Sequence, residues 1–213
     1  MRTVRRESLK LNQAKFDALE RIARAFASDK QAHLDFYQHD LNFAEAPSYR
    51  LRRDELKTIN HHASTPLSVH ASDLAVKEAF ETEVKYWAAI ASEIHPRIAS
   101  RGWTPEQKHY AFWLLGASHR FSHLILGRAP INEKISLTME ERKQVQNYLR
   151  RRARRVMKAR PSVKIARSFA LDNTLYAVIR TLGGQGLAIS SLEKGKRIFI
   201  PLKIFIRCAH HQK

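Results

Sequence analysis

The residues best equipped for chemistry form one run, Arg150-Arg151-Arg152-Ala153-Arg154-Arg155, followed by Lys158 and Arg160. A guanidinium fork binds phosphate oxygens through two parallel N–H bonds and also stacks on base faces. Wound on a helix, these side chains cover more than one face, so they cannot all reach one duplex groove. A second group lies in the hairpin-like stretch Ser190 to Lys203. There Gly195 permits a positive φ in the turn. Lys194, Lys196 and Arg197 then project from that turn, as in sheet-based single-strand binders. Lys164 and Arg167 continue the first group, and Arg5 and Arg6 add charge near the start. These fourteen residues are the candidate polyanion contacts. The bland readings are a solvated helix face, or a contact to an acidic protein.

The distribution of charge argues against a merely solvated face. The chain of 213 residues carries a formal charge of +18. From Asp29 to Glu141 there are 15 acidic and 13 basic residues; from Arg142 to Leu171 there are 11 basic residues and no acidic one. A solvated face normally intersperses carboxylates, which limit self-repulsion. Their absence over this stretch points to a polyanionic partner.

Other chemistries find less support. His119 and His123 stand at i, i+4 spacing with His109 nearby, but no Glu lies between them as in a zinc protease and no third ligand is obvious. They read as solvated or packed histidines, and no metal or other cofactor is expected. His61-His62 lacks the intervening apolar residue of a single-strand transposase nuclease. Two-metal nucleases need several convergent carboxylates. Past Glu141 only Asp172 and Glu193 remain, both in expected turns. No nucleophile elbow or P-loop is present, so no catalytic site is expected. The single cysteine, Cys208, excludes an internal disulfide and a Cys-rich zinc site. The apolar runs are too short for a membrane span, and the N-terminus lacks a secretion signal, so the expected location is cytoplasmic.

The elements that must hold these residues can be read coarsely. Residues 2–11 read as a strand. Asn12 is a helix N-cap, and Phe16, Leu19, Ile22, Ala23 and Phe26 recur on one helical face. The stretch 40–50 contains Pro47 and breaks the pattern, 52–60 reads as a short helix, and 61–66 as a loop. Ser68 to Ile94 reads as helix, with Leu74, Ala75, Ala79, Phe80, Tyr86, Trp87 and Ile90 as core and Pro96 as its end. Thr104-Pro105-Glu106-Gln107 has the form of a capping box. The segment 122–137 reads as loop with short helical pieces. Thr138 caps a helix expected from Met139 to Ala159. After Pro161 the texture becomes β: 163–169, 174–179, 187–190 and 197–205 read as strands, with turns at Asp172-Asn173, 182–186 and 193–196. The fold class is therefore α+β. A first strand so far from the others most economically pairs with the C-terminal ones, and the helices become an insertion into a small split β-barrel. The expected divisions are 1–11, first barrel strand; 12–160, helical lobe; 161–205, remaining barrel strands; and 206–213, tail.

Several segments taken in order resemble the TnpB (OrfB) proteins of bacterial insertion sequences, especially the TnpB-related group, ancestral to type V CRISPR effectors. Leu19-Glu20-Arg21-Ile22-Ala23-Arg24-Ala25-Phe26 through His33-Leu34-Asp35-Phe36-Tyr37 is similar to the family's first helix. Leu74-Ala75-Val76-Lys77-Glu78-Ala79-Phe80, with Tyr86-Trp87, resembles a later one. Arg167 to Asp172 and Gly195-Lys196-Arg197-Ile198-Phe199-Ile200-Pro201-Leu202-Lys203 resemble its strands, the last most specifically.

The resemblance implies a wedge, OB-like barrel split by a helical recognition lobe that cradles guide RNA and the guide–target heteroduplex. Family members are RNA-guided DNA endonucleases whose RuvC-like domain begins soon after the segment resembling Pro201-Leu202-Lys203. This chain stops at Lys213 with a tail that matches nothing in the family, so the expectation is a truncated product without that domain and without enzymatic activity. The implied partners are a guide-like RNA and DNA, no membrane, and a separately encoded nuclease half. The alternative is a stand-alone DNA-binding regulator derived from such a protein.

Overall fold

The computed structural model describes residues 4–39, 41–59, 61, 65–163, 176–179 and 186–201, with the backbone alone for 4–7, 176–179, 186 and 187. Within them the chain is mostly helical. The order is β1 (Val4–Glu7), α1 (Gln13–Gln38), α2 (Asn42–Glu45), α3 (Tyr49–Thr58), α4 (Val69–Ala99), α5 (Pro105–Leu115), α6 (Ser118–Ile125), α7 (Met139–Val156), β2 (Tyr176–Ile179), β3 (Gly186–Ser190) and β4 (Arg197–Pro201).

Local chemistry sets most helix starts. The Asn12 side chain accepts the Lys15 amide at 2.9 Å, satisfying one of the orphan donors of the first turn. At Thr104 and at Thr138 the hydroxyl accepts an amide from the third helical residue, and that residue's side chain accepts the cap amide in return. The helix ends obey less local rules. Pro96 does not end α4, which continues to Ala99. Proline removes one helical hydrogen bond, but Ile94 and Ile98, fully buried on either side of it, hold the last turn in place. Likewise α7 stops at Val156, before the expected Ala159, because residues 157–163 are drawn out along α1 and α4. The Tyr86 hydroxyl donates to the Lys158 carbonyl at 3.1 Å, Gln38 donates to the Pro161 carbonyl at 2.9 Å, and the Val163 amide donates to the Gln31 side chain at 2.6 Å.

The segment expected as loop from residue 122 is helical as far as Ile125. A Schellman closure ends it: Arg128 N–H to His123 C=O, Gly127 N–H to Leu124 C=O, and Gly127 at φ +89°.

Helix α4 is the axis of the lobe, with α1, α3, α5, α6 and α7 packed around it. Its inward face carries Ala75, Ala79, Trp87, Ile90 and Ile94; Leu74, read as core, faces outward and is exposed. Trp87 meets Phe121 of α6 edge to face at 5.5 Å, and Tyr110, Leu114, Val145 and Leu149 complete this core.

The described strands form two antiparallel pairs, β1 with β2 and β3 with β4. Val4 lies opposite Ile179 and Glu7 opposite Tyr176, so the N-terminal strand finds its partner beyond all seven described helices. The Leu9 amide just past β1 donates to the Pro201 carbonyl of β4 at 2.9 Å. The β3–β4 hairpin rests on the first half of α1, where Leu11, Leu19 and Ile200 are buried together. The expected strand over 163–169 and the turns at 172–173 and 182–185 lie outside the described residues, except Val163, which is in neither helix nor strand.

Candidate nucleic-acid interface

The basic residues of α7 divide by what packs on the helix. Its inner face is Val145, Tyr148, Leu149 and Ala153. Arginines flanking that face turn inward. Arg142 donates to three backbone carbonyls of the preceding loop, those of Leu137 at 3.2 Å, Asn132 at 3.1 Å and Ile135 at 2.6 Å. Arg150 donates through Nε to the Leu124 carbonyl at 2.8 Å, closing the end of α6. Arg160, beyond the helix, reaches into the lobe. It pairs with the buried Glu83 carboxylate and its guanidinium lies 4.9 Å from the Tyr86 ring centre and 4.8 Å from that of Trp87.

The outer face is different. Lys143, Arg151, Arg154, Arg155 and Lys158 are exposed. Spacings of eight and three residues place Lys143, Arg151 and Arg154 in one stripe along the cylinder, with Arg155 beside it; Lys158 lies past the end of the helix. Lys158 pairs with Glu93 of α4 at 3.1 Å, and among the described residues Arg151 bonds the Asn147 carbonyl, at 3.4 Å. Among the described residues, the side chains of Lys143, Arg154 and Arg155 have no ion-pair or hydrogen-bond partner. Elsewhere some exposed cations meet carboxylates, Arg24 with Glu20 at 2.7 Å and Lys77 with Glu81 at 3.8 Å, while others, such as Arg21, Arg50 and Lys85, have no ion-pair partner among the described residues.

Arg152 is half-buried, 5.8 Å from the Tyr148 ring centre. The same ring carries Arg101 at 4.2 Å and meets Trp103 edge to face at 5.0 Å. Arg101 thus joins the α7 surface from the loop after α4. Nothing in its near-neutral sequence neighbourhood marks it out.

The hairpin group sits on another part of the fold. Lys194, Lys196 and Arg197 line a cleft of about 730 Å³ whose other wall is Thr65 to Val69, at the N-terminus of α4. The first-turn amides of a long helix favour an anion there. Lys196 is paired with Glu193 at 2.6 Å; Lys194 has no side-chain partner among the described residues. The turn is closed by the Ser191 amide donating to the Lys196 carbonyl at 2.9 Å, with Gly195 at φ +80°. A Cβ at Gly195 would meet no atom within 4 Å. Gly195→Ala is therefore expected to strain the backbone alone, loosening the hairpin by about 1 kcal/mol. Faster hydrogen exchange at the Ser191 and Lys196 amides, with an unchanged helical core, is the measurement that checks it.

Along β4 the side chains alternate, so Arg197 and Phe199 are exposed while Ile200 is buried. Phe199, 52% exposed, is an aromatic surface beside a guanidinium, an arrangement on which bases stack. The two-residue alternation was readable in the sequence and Phe199 could have been found by it. Arg5 and Arg6 lie in β1, opposite Val178 and Ala177. Lys164 and Arg167 lie outside the described residues. The structure thus gathers Arg151, Arg154 and Arg155 on the outer face of α7, sets Lys158 beyond the helix end against Glu93, and places Lys194, Lys196 and Arg197 at the hairpin cleft. Arg150 and Arg160 are held by internal partners.

The histidines singled out by spacing, His119 and His123, lie on α6. Burial lowers the pKa of His119, with Arg120 and His123 adding repulsion. Among the described residues they are not joined by a third metal-ligating side chain. No described helix is long and apolar enough to cross a membrane.

Comparison with protein-family models, with curated proteins and with solved structures finds no match to this chain.

Proposed function

We propose that this chain binds structured RNA and RNA–DNA heteroduplex through the sugar-phosphate backbone, with the outer face of α7 as the principal contact. The observation that carries the proposal is the row of exposed cations on α7, Lys143, Arg151, Arg154 and Arg155, in a stretch that has no carboxylate from Arg142 to Leu171. A neighbouring carboxylate competes with a phosphate for the guanidinium fork; its absence leaves the fork open. The cleft between the hairpin and the start of α4 supplies a second phosphate contact, and Phe199 a stacking surface for an unpaired base.

The resemblance to TnpB-related proteins fits this reading, as does the route of the chain. The β1–β2 pair and the Leu9–Pro201 hydrogen bond support a split barrel in which the order β2–β1–β4–β3 continues through the N-terminal segment. The helical insertion then faces the nucleic acid. Backbone contacts of this kind supply affinity rather than sequence choice.

Binding titrations across salt test the proposal. With about five phosphates neutralised, affinity for a structured RNA is expected to fall on the order of 10²-fold between about 50 and 200 mM salt. An affinity indifferent to salt would overturn the proposal. Sequence-specific binding to duplex DNA that exceeds binding to RNA would replace it with a DNA-binding regulator.

A further inference from the structure

We infer that Asp29, His33 and His61 form a binding site for one divalent transition-metal ion, zinc foremost, which clasps the segment after α3 onto α1. Asp29 and His33 stand at i, i+4 on α1 and so project from one face. His61 returns to that face from the segment between α3 and α4. The Asp29 Oδ1 atom is 3.4 Å from His61 Nε2 and 3.6 Å from His33 Nε2, and the three ligand atoms lie within 4.8 Å of one another. Ligands about 2.0–2.1 Å from a tetrahedral zinc are separated from each other by roughly 3.3 Å, so two edges of the polyhedron are nearly in place.

The strongest sign that the cluster is built for a ligand is His33. Its ring is 2% exposed and its Nε2 atom, turned towards Asp29 and His61, has no hydrogen-bond partner among the described residues. At 3.6 Å the contact with Asp29 is too long for one. A buried nitrogen left unsatisfied costs about 1–3 kcal/mol, which a metal bond removes. The second oxygen of the carboxylate is already held. Ser72 of α4, fully buried, donates to Asp29 Oδ2 at 3.0 Å and leaves Oδ1 directed at the two imidazoles, the usual outer support of a metal ligand. The cation that acts on the cluster is Arg52. It is paired with Glu55 at 2.6 Å and stacked 3.8 Å over Phe36, so its charge is largely countered.

Two imidazoles and one carboxylate suit zinc and its first-row neighbours rather than magnesium or calcium, which prefer all-oxygen shells. The partly exposed His61 leaves a route of entry and room for a water as fourth ligand. The site fixes structure; nothing near it suggests chemistry on a substrate. It is independent of the nucleic-acid reading, since no basic residue assigned to that role takes part.

The full chain, stripped with a chelator, is titrated with Zn²⁺ against a chromophoric competitor, and with Co²⁺ as a spectroscopic probe. The expected result is one ion per chain and visible Co²⁺ bands of a four-coordinate N/O site. His61→Ala removes a partly exposed side chain and is expected to weaken binding by more than about 100-fold and abolish the bands, beyond the loss of an outer-shell partner. Asp29→Asn, nearly isosteric and still able to accept from Ser72, should do the same. A His119→Ala/His123→Ala double variant should bind as the parent does. No stoichiometric ion, unchanged affinity in both ligand variants, or loss confined to the His119/His123 variant each overturns the inference.

Discussion

Replacing Arg151, Arg154 and Arg155 together with alanine is expected to weaken binding to structured RNA by about 100-fold near 0.15 M salt and to lower the salt slope by nearly 3. On the proposed reading each of these guanidinium groups neutralises one phosphate, and each phosphate neutralised releases close to one condensed counterion. The released ions gain entropy in dilute salt, which is why the loss grows as salt falls. Folding should be indifferent to the triple change. Arg151 and Arg154 are exposed, Arg155 likewise, and the inner face of α7 is untouched. Alanine is also the better helix former. Fluorescence anisotropy at several salt concentrations measures the binding, and thermal unfolding measures the fold. Arg142→Ala should behave the opposite way. Its three carbonyl contacts to residues 132–137 hold a loop together, so stability falls while the salt slope stays nearly constant.

The second large effect is expected inside the lobe. Glu83 on α4 is 1% exposed, accepts the Trp87 indole N–H at 2.7 Å and pairs with Arg160. Glu83→Ala leaves a buried indole donor and a half-buried guanidinium without an acceptor. It is expected to destabilise the fold by about 3 kcal/mol, the lower end for breaking a buried ion pair, because Arg160 keeps part of its side chain in solvent. It also frees the segment after α7 that Arg160 anchors to the lobe.

The isosteric Glu83→Gln separates charge from hydrogen bonding. Burial pushes the Glu83 carboxyl up from its ordinary value; the Arg160 charge and the hydrogen bonds from Trp87 and Arg160 pull it partly back. A group whose pKa is raised on folding binds its proton more tightly when folded. Its contribution is fully present below the ordinary carboxylate pKa and is lost as pH rises through the raised value. The parent protein should therefore lose stability relative to Glu83→Gln as pH rises above the ordinary carboxylate range. The difference levels off once the folded carboxyl is ionised. Urea unfolding at a series of pH values gives the curve.

Capping, composition and period were legible in the sequence because they are local. The caps at Asn12, Thr104 and Thr138 need only three or four consecutive residues to agree. The α+β order needed only a change of period after Pro161. Helix ends were less legible, since they depend on partners elsewhere. Pro96 is tolerated because Ile94 and Ile98 are buried, and α7 stops early because Gln31, Gln38 and Tyr86, on other helices, hold the chain that follows.

The basic surface shows where the boundary falls. By itself the sequence determined that residues 142–171 carry cations without carboxylates, the ground on which a polyanionic partner is proposed. It could not distinguish Arg150 from Arg151, which are chemically identical neighbours. Only the tertiary structure did, because a helix turns adjacent residues about 100° apart. One guanidinium meets the Leu124 carbonyl of α6, and the other stays on its own helix against the Asn147 carbonyl. The same holds for Asp29, His33 and His61. Two of them shared a helical spacing in plain view, but their third partner comes from the other side of α3, and only folding brings it within reach.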